Sequence, residues 1–250
     1  LMASAGIGDK VEGLHAVAAA VAAGRVRVLH VERSRLRHDD VSKVVDAAQA
    51  AGANIHVEDD VRPRSLTAAP QGLVADATPL PFIDLEGAVA ATDPAALLVL
   101  DHLEDPRNVG AIARSAEAAG ISALVVSSRR SAPLGPSAFK AAAGALERVR
   151  IVEVSSIPEA LRRLSRFGVW NVGLDGSAPT PLWNLDLLTQ PVAVVVGAEG
   201  RGLHRLTAQR CDVVAHIPMA AGVESLNASV AASLAVFEVL RMRSATGAGT

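Results

Sequence analysis

No tyrosine occurs in this chain, and aromatic side chains (four Phe, two Trp) make up only 2% of it. A platform of such rings for stacking single-stranded bases is therefore excluded as the main binding device. Cysteine is almost absent too: Cys211 stands alone, which rules out an intramolecular disulfide and fits a reducing, cytoplasmic setting. Positive charge is not in excess, since 24 Lys and Arg face 26 Asp and Glu for a formal net charge of −2. Bulk electrostatics cannot hold such a chain on nucleic acid, although a local basic face remains open. Apolar stretches such as residues 228–237 fall far short of the roughly 20 residues of a membrane span. No charged-then-apolar leader opens the sequence, and Leu1 is not an initiator residue, which leaves room for sequence upstream.

Several catalytic signatures are missing as well. The seven histidines show no metal-ligand spacing, so no metal is expected. No Gly-Lys-Ser/Thr follows a glycine-rich loop, and no Gly-x-Ser-x-Gly elbow is present. A nicotinamide-dependent oxidoreductase lacks its G-x-G-x-x-G order here.

What remains is hydrophobic: half the residues, dominated by Ala, Val and Leu, enough for a sizeable core. Spacing predicts a helix over 11–23 stopped by Gly24, a strand over 26–31, a helix over 41–51, and strands over 54–57 and 71–75. Pro79, Pro81 and Pro94 then punctuate a stretch that reads as a linker over 79–94, dividing a domain of residues 1–78 from one of residues 95–250. Beyond it, strands are expected over 97–100, 123–127, 149–154, 168–174, 192–196 and 213–217. Helices are expected over 109–119, 137–146, 158–166, 203–209 and 226–243, with a disordered tail over 244–250. Apolar strands alternating with helices imply an α/β fold with a largely parallel sheet covered on both faces.

In such sheets ligands lie beyond the carboxyl ends of strands, and three segments there carry unusual residues. In Asp105-Pro106-Arg107-Asn108-Val109-Gly110, Asn108 reads as a helix cap, with Arg114 on the first turns. Gly197-Ala198-Glu199-Gly200-Arg201-Gly202-Leu203 reads equally as a ligand loop or a tight turn. The third is Ile217-Pro218-Met219 followed by Val223-Glu224-Ser225-Leu226-Asn227-Ala228, in which Ser225 is a natural N-cap. Asn227 there is a poor residue for a helical interior.

In this order and spacing the three segments resemble the SpoU/TrmH family of RNA 2′-O-ribose methyltransferases, of the SPOUT superfamily. Further pieces, Glu12-Gly13-Leu14-His15-Ala16-Val17, Gln71-Gly72-Leu73-Val74-Ala75, Arg129-Arg130-Ser131-Ala132-Pro133-Leu134 and Ala143-Gly144-Ala145-Leu146-Glu147, are similar to the branch that methylates a guanosine of 23S rRNA. The resemblance implies an N-terminal substrate-binding domain of ribosomal-protein-L30-like type and a C-terminal deep trefoil knot. It also implies a homodimer, a 23S rRNA partner, and S-adenosyl-L-methionine as cofactor. By motif, Leu174, Gly197, Gly200, Ile217, Met219 and Leu226 would line the cofactor pocket. Arg114, Asn108, Glu199, Ser225 and Asn227 would surround the reacting centre, Arg114 being the family's usual candidate for activating the hydroxyl. A tRNA substrate and a non-catalytic RNA-binding module are the alternatives.

For the RNA itself, the run Arg25, Arg27, His30, Arg33, Arg35, Arg37, His38 suggests a basic strand edge, with Arg33, Arg35 and Arg37 at its centre. Arg201, with His204 and Arg205, is a second candidate, while His102 reads as an ordinary loop residue.

Overall fold

The computed structural model describes residues 6–129, 131–220, 223 and 225–246. Arg130 and Glu224, named in two of the motifs above, and the tail residues 247–250 lie outside them. The chain forms two compact units: residues 1–81 with 109–114 and 133–148, and residues 82–108 with 115–132 and 149–250.

The first unit carries a four-stranded sheet. Strands β1 (Lys10–Glu12) and β2 (Val26–Glu32) flank β4 (Leu73–Ala77) in antiparallel pairing, and β3 (Asn54–Glu58) lies parallel to β2. Helices α1 (Leu14–Ala22) and α2 (Asp39–Ala50) bury Ala16, Val17, Val41 and Val44. The helix expected over 11–23 is thus a strand followed by a helix. Gly13, at φ 84°, breaks the chain between them in a conformation that side chains disfavour. Likewise β4 starts at Leu73, because Gln71 and Gly72 both turn through positive φ.

Two members of the basic run prove to be interior. Arg25 is 8% exposed and donates to Glu147 (Nε to Oε2, 2.7 Å) and to the carbonyls of Gly8 and Thr78. His30, 6% exposed, pairs through Nδ1 with Glu58 at 2.7 Å. The expected strand edge is corrected too: β2 is an inner strand, and Arg33–Arg37 is a 3-10 helix beyond its end. Arg33 and Arg37 are exposed there, and Arg35 is half-buried against Gly72.

The second unit is built on seven parallel strands in the order β7-β6-β5-β10-β8-β11-β9. These are β5 (Ala96–Asp101), β6 (Ala123–Ser127), β7 (Arg150–Val154), β8 (Trp170–Leu174), β9 (Thr180–Pro181), β10 (Val192–Gly197) and β11 (Val213–His216). Every residue of β5, β6 and β10 is buried, as a sheet covered on both faces requires. Helices α3 (Leu85–Ala90), α4 (Pro106–Ala118), α6 (Ile157–Arg166), α7 (Arg205–Ala208) and α8 (Ala228–Thr246) accompany them; residues 109–114 of α4 cluster with the first unit. Helix α5 (Pro136–Ala142), between β6 and β7, also belongs to the first unit and stops where Ala143 and Gly144 turn left-handed.

The stretch expected as a linker contains α3. Asp84 caps it, accepting from Gly87 N at 2.7 Å, and Leu85 and Ala88 join the core under the sheet. Residues 244–246, expected in the disordered tail, close α8. Just before them Arg243, 8% exposed, donates to four backbone carbonyls: Leu188 (3.2 Å), Pro94 (2.7 Å), Ala95 (2.8 Å) and Gln190 (2.7 Å). These carbonyls precede β5 and β10, at the sheet end opposite the strand-to-helix loops. Arg243→Ala is expected to lower unfolding stability by about 3 kcal/mol, since buried carbonyls lose charged donors. A urea midpoint within error of the unmodified protein's would contradict this.

Candidate active site

Four loops meet at the carboxyl ends of the adjacent strands β5, β10, β8 and β11, the place where open parallel sheets bind ligands. Gly197, the last residue of β10, has no room for a side chain: a β-carbon there would overlap the Gly202 carbonyl. The chain folds back on itself at that point, Gly202 N donating to Ala198 O at 2.9 Å, with Gly200 and Gly202 both at positive φ. This tight turn pushes Glu199 and Arg201 outward, and both are exposed.

On one side of the turn lies a cavity of about 450 Å³. Leu174, Gly197, Gly200, Ile217, Met219 and Leu226, the six residues expected to hold a cofactor, all line it, as do Glu199, Arg201 and Ser225. Its size falls within the range of roughly 300 to 1,000 Å³ usual for small-molecule sites.

Glu199 is the centre of a polar cluster at the rim. Its Oε1 accepts from Asn108 Nδ2 at 2.8 Å and from Asn227 Nδ2 at 2.5 Å, and Asn227 Nδ2 also approaches Asn108 Oδ1 at 3.3 Å. Three residues drawn from the three motifs, up to 119 positions apart, thus converge on one carboxylate.

The caps differ from expectation, and the differences explain this convergence. Asp105, not Asn108, caps α4: its Oδ1 accepts from Arg107 N at 2.8 Å. The side-chain hydrogen bonds from Arg107 hold the Asp105 carboxyl below the usual aspartate range. Asn108 is thereby freed to reach Glu199. At the other helix, Asn227 rather than Ser225 is the cap. Its Oδ1 accepts from Ser229 N (2.9 Å) and Val230 N (3.3 Å), and its own carbonyl accepts from Ala231 N. Asn227 therefore is not interior to a helix at all, and its amide is divided: the oxygen caps α8, the nitrogen holds Glu199. Ser225 is exposed beside the cavity. Arg114 is exposed on α4, six residues beyond Asn108.

A second cavity, of about 560 Å³, lies on the other side of the turn and shares Ala198, Glu199, Arg201 and Gly202 with the first. His102, His204 and Arg205 line it. His102 lies in the loop after β5, as expected, and sits there at φ 60° with Nδ1 2.6 Å from the buried Asp101 Oδ1 and its ring 5.6 Å from that of His204. Positive φ at a non-glycine residue is uncommon, and spacing in a sequence does not reveal it.

Cys211 takes no part in this chemistry. Burial pushes its thiol up to about 12, so it stays protonated and inert at neutral pH. Among the described residues no cluster of His, Cys, Asp and Glu is arranged to hold a metal ion, and no helix is long and apolar enough to cross a membrane.

Comparison with known proteins agrees with this geometry. Residues 95–237 match the SpoU rRNA Methylase family, and residues 10–83 match an RNA 2′-O ribose methyltransferase substrate-binding family. The 23S rRNA (guanosine-2′-O-)-methyltransferase RlmB of Pseudomonas aeruginosa is 39% identical over 243 residues, covering 94% of this chain and 97% of that protein. Its counterpart in Pseudomonas syringae pv. tomato is 38% identical over 246 residues, covering 95% and 97%. The SpoU methyltransferase AviRb of Streptomyces viridochromogenes, solved with the cofactor AdoMet, superposes with a TM-score of 0.78 at 26% identity, covering 94% of this chain and 90% of its own. With both family regions matched and the motif residues gathered at one sheet end, this chain belongs to the SpoU rRNA methylase family.

Proposed function

We propose that this protein transfers a methyl group from S-adenosyl-L-methionine to the ribose 2′-hydroxyl of a guanosine in 23S rRNA. The observation that carries the reading is the Glu199–Asn108–Asn227 cluster at the mouth of the 450 Å³ cavity. It agrees with relatives named for that reaction along nearly their whole length.

The cavity fits the cofactor. Leu174, Ile217, Met219 and Leu226 offer apolar walls to the adenosine, and the open face of Gly200, where a β-carbon would meet nothing within 4 Å, lets a ligand approach the backbone. When bound, the cofactor supplies an electrophilic methyl on a sulfonium. The chain must then orient the hydroxyl and manage the proton it loses. Glu199, fixed by two amides, is a hydrogen-bonding group for orientation, with Ser225 beside it. Arg114 presents a guanidinium, a poor proton acceptor by its chemistry. Its role is to clamp the RNA phosphate and stabilise the forming alkoxide, while the proton passes to a phosphate oxygen or another nearby acceptor.

The reading extends to architecture. Strand β10, late in the chain, lies between β5 and β8, and the family resemblance carries the further reading that the C-terminal chain threads a loop as a trefoil knot. The substrate-binding family match over residues 10–83 supports reading residues 1–78 as the L30-like substrate domain. On α8 the exposed Val230, Leu234 and Phe237 fall at helical spacing, an apolar stripe suited to cover by a second copy of the chain, giving a homodimer. Leu234→Glu with Phe237→Glu is expected to yield monomers by light scattering. A dimer that survives both changes would remove this stripe from the interface.

RNA phosphates are met by Arg33 and Arg37, aided by Arg35 and, at the site, by Arg201. Replacing Arg33, Arg35 and Arg37 by Gln together should weaken RNA binding and flatten its logarithmic salt dependence by about 2 units. An unchanged slope would exclude this patch. The overall reading is tested by calorimetry with S-adenosylmethionine followed by methyl transfer to deproteinised rRNA and tRNA; no heat of binding and no transfer would reduce the protein to an RNA-binding module.

A further inference from the structure

Methyl transfer needs two ligands to meet at one wall, and here Ala198, Glu199, Arg201 and Gly202 face both cavities. We propose that the 560 Å³ cavity receives the target nucleotide, its base lying against the His102–His204 ring pair. This inference rests on the methyl-transfer reading above.

Three observations point the same way. His102 and His204 carry the only rings among the residues that line this cavity, in a chain otherwise almost without aromatics. Their centroids are 5.6 Å apart with the rings tilted at 33°, and imidazoles are among the side chains on which unstacked bases rest.

Second, the pair is built rather than incidental. The Asp101 carboxylate is fully buried; its Oδ1 meets His102 Nδ1 at 2.6 Å and its Oδ2 accepts from His204 N at 2.8 Å. One buried group thus fixes both ring-bearing residues. His204 is held further by capping α7, its Nδ1 accepting from Leu206 N. His102 is kept in a left-handed conformation that glycine would adopt more easily, so its ring is retained against a backbone cost.

Third, Arg201 and Arg205 are exposed on the turn and α7, where they can meet phosphate, while the carboxylates of Asp101, Glu104, Asp105 and Glu199 line the rest of the cavity beside the ring pair.

The test uses steady-state methyl transfer to deproteinised 23S rRNA with two double variants. His102→Gly with His204→Asn removes both rings while suiting the positive φ and preserving a capping side chain. KM for RNA is expected to rise about tenfold, with kcat and the cofactor Kd little changed, because stacking contributes to binding rather than to the methyl-transfer step. His102→Phe with His204→Phe keeps the rings and is expected to restore KM to within about threefold. An unchanged KM in the Gly/Asn variant, or a Phe/Phe variant as impaired as the ringless one, would overturn the proposal. Failure of the unmodified protein to methylate any RNA would instead overturn the reading on which it rests.

Discussion

Arg114→Ala is expected to lower methyl transfer on the order of a thousandfold, the loss seen when a single charge-stabilising donor is removed from an active site. Cofactor affinity should stay within about twofold, since Arg114 is not among the residues lining the 450 Å³ cavity. Folding should be unaffected too, because the side chain is exposed on α4. Arg114→Lys separates the two roles discussed for this position. A lysine keeps the positive charge but loses the planar fork that grips phosphate at two points, so partial activity is expected. If Arg114 were instead the proton acceptor, lysine, with its lower pKa, would shift the pH–rate profile toward lower pH. An Arg114→Ala variant that methylates RNA at the normal rate would end the assignment.

Gly197→Ala is expected to abolish detectable cofactor binding in calorimetry and to lower stability by about 1 to 3 kcal/mol. The reason is local. Residue 197 is the buried last position of β10, and its β-carbon would overlap the Gly202 carbonyl and crowd Leu203 N. Backbone, not a flexible side-chain tip, stands in the way, so the turn over residues 198–202 has to shift. That turn carries Glu199, and its displacement separates the carboxylate from Asn108 and Asn227. Gly200→Ala is the control. Its β-carbon meets nothing within 4 Å, and only the strain of φ 71° opposes it, so a smaller loss is expected. Wild-type affinity in Gly197→Ala would show that the turn is not what shapes the pocket.

The sheet was legible because its strands are short continuous runs of Val, Leu and Ala that only a doubly covered parallel sheet accommodates. The segment at 197–202 was legible only as a choice between a ligand loop and a tight turn, and the structure makes it both, a turn that walls a cavity. Which polar residue caps which helix was not legible. Asp105 and Asn108, or Ser225 and Asn227, are all chemically able to cap, and the choice depends on where Glu199 arrives from 91 and 28 residues away. The basic run misled for the same reason. Arg25 looks like any exposed arginine until Glu147, 122 residues on, closes over it. The His102–Asp101–His204 arrangement depends on a left-handed backbone at a non-glycine residue and on a partner beyond β10, neither of which leaves a periodic trace.

The central claim is that the methyl acceptor is a ribose oxygen of rRNA. Deproteinised 23S rRNA incubated with the protein and methyl-labelled S-adenosylmethionine, then digested to nucleosides and resolved by mass spectrometry, tests it directly. The account predicts label in 2′-O-methylguanosine at one position of the 23S rRNA. Label on a base, or label confined to tRNA, would contradict it.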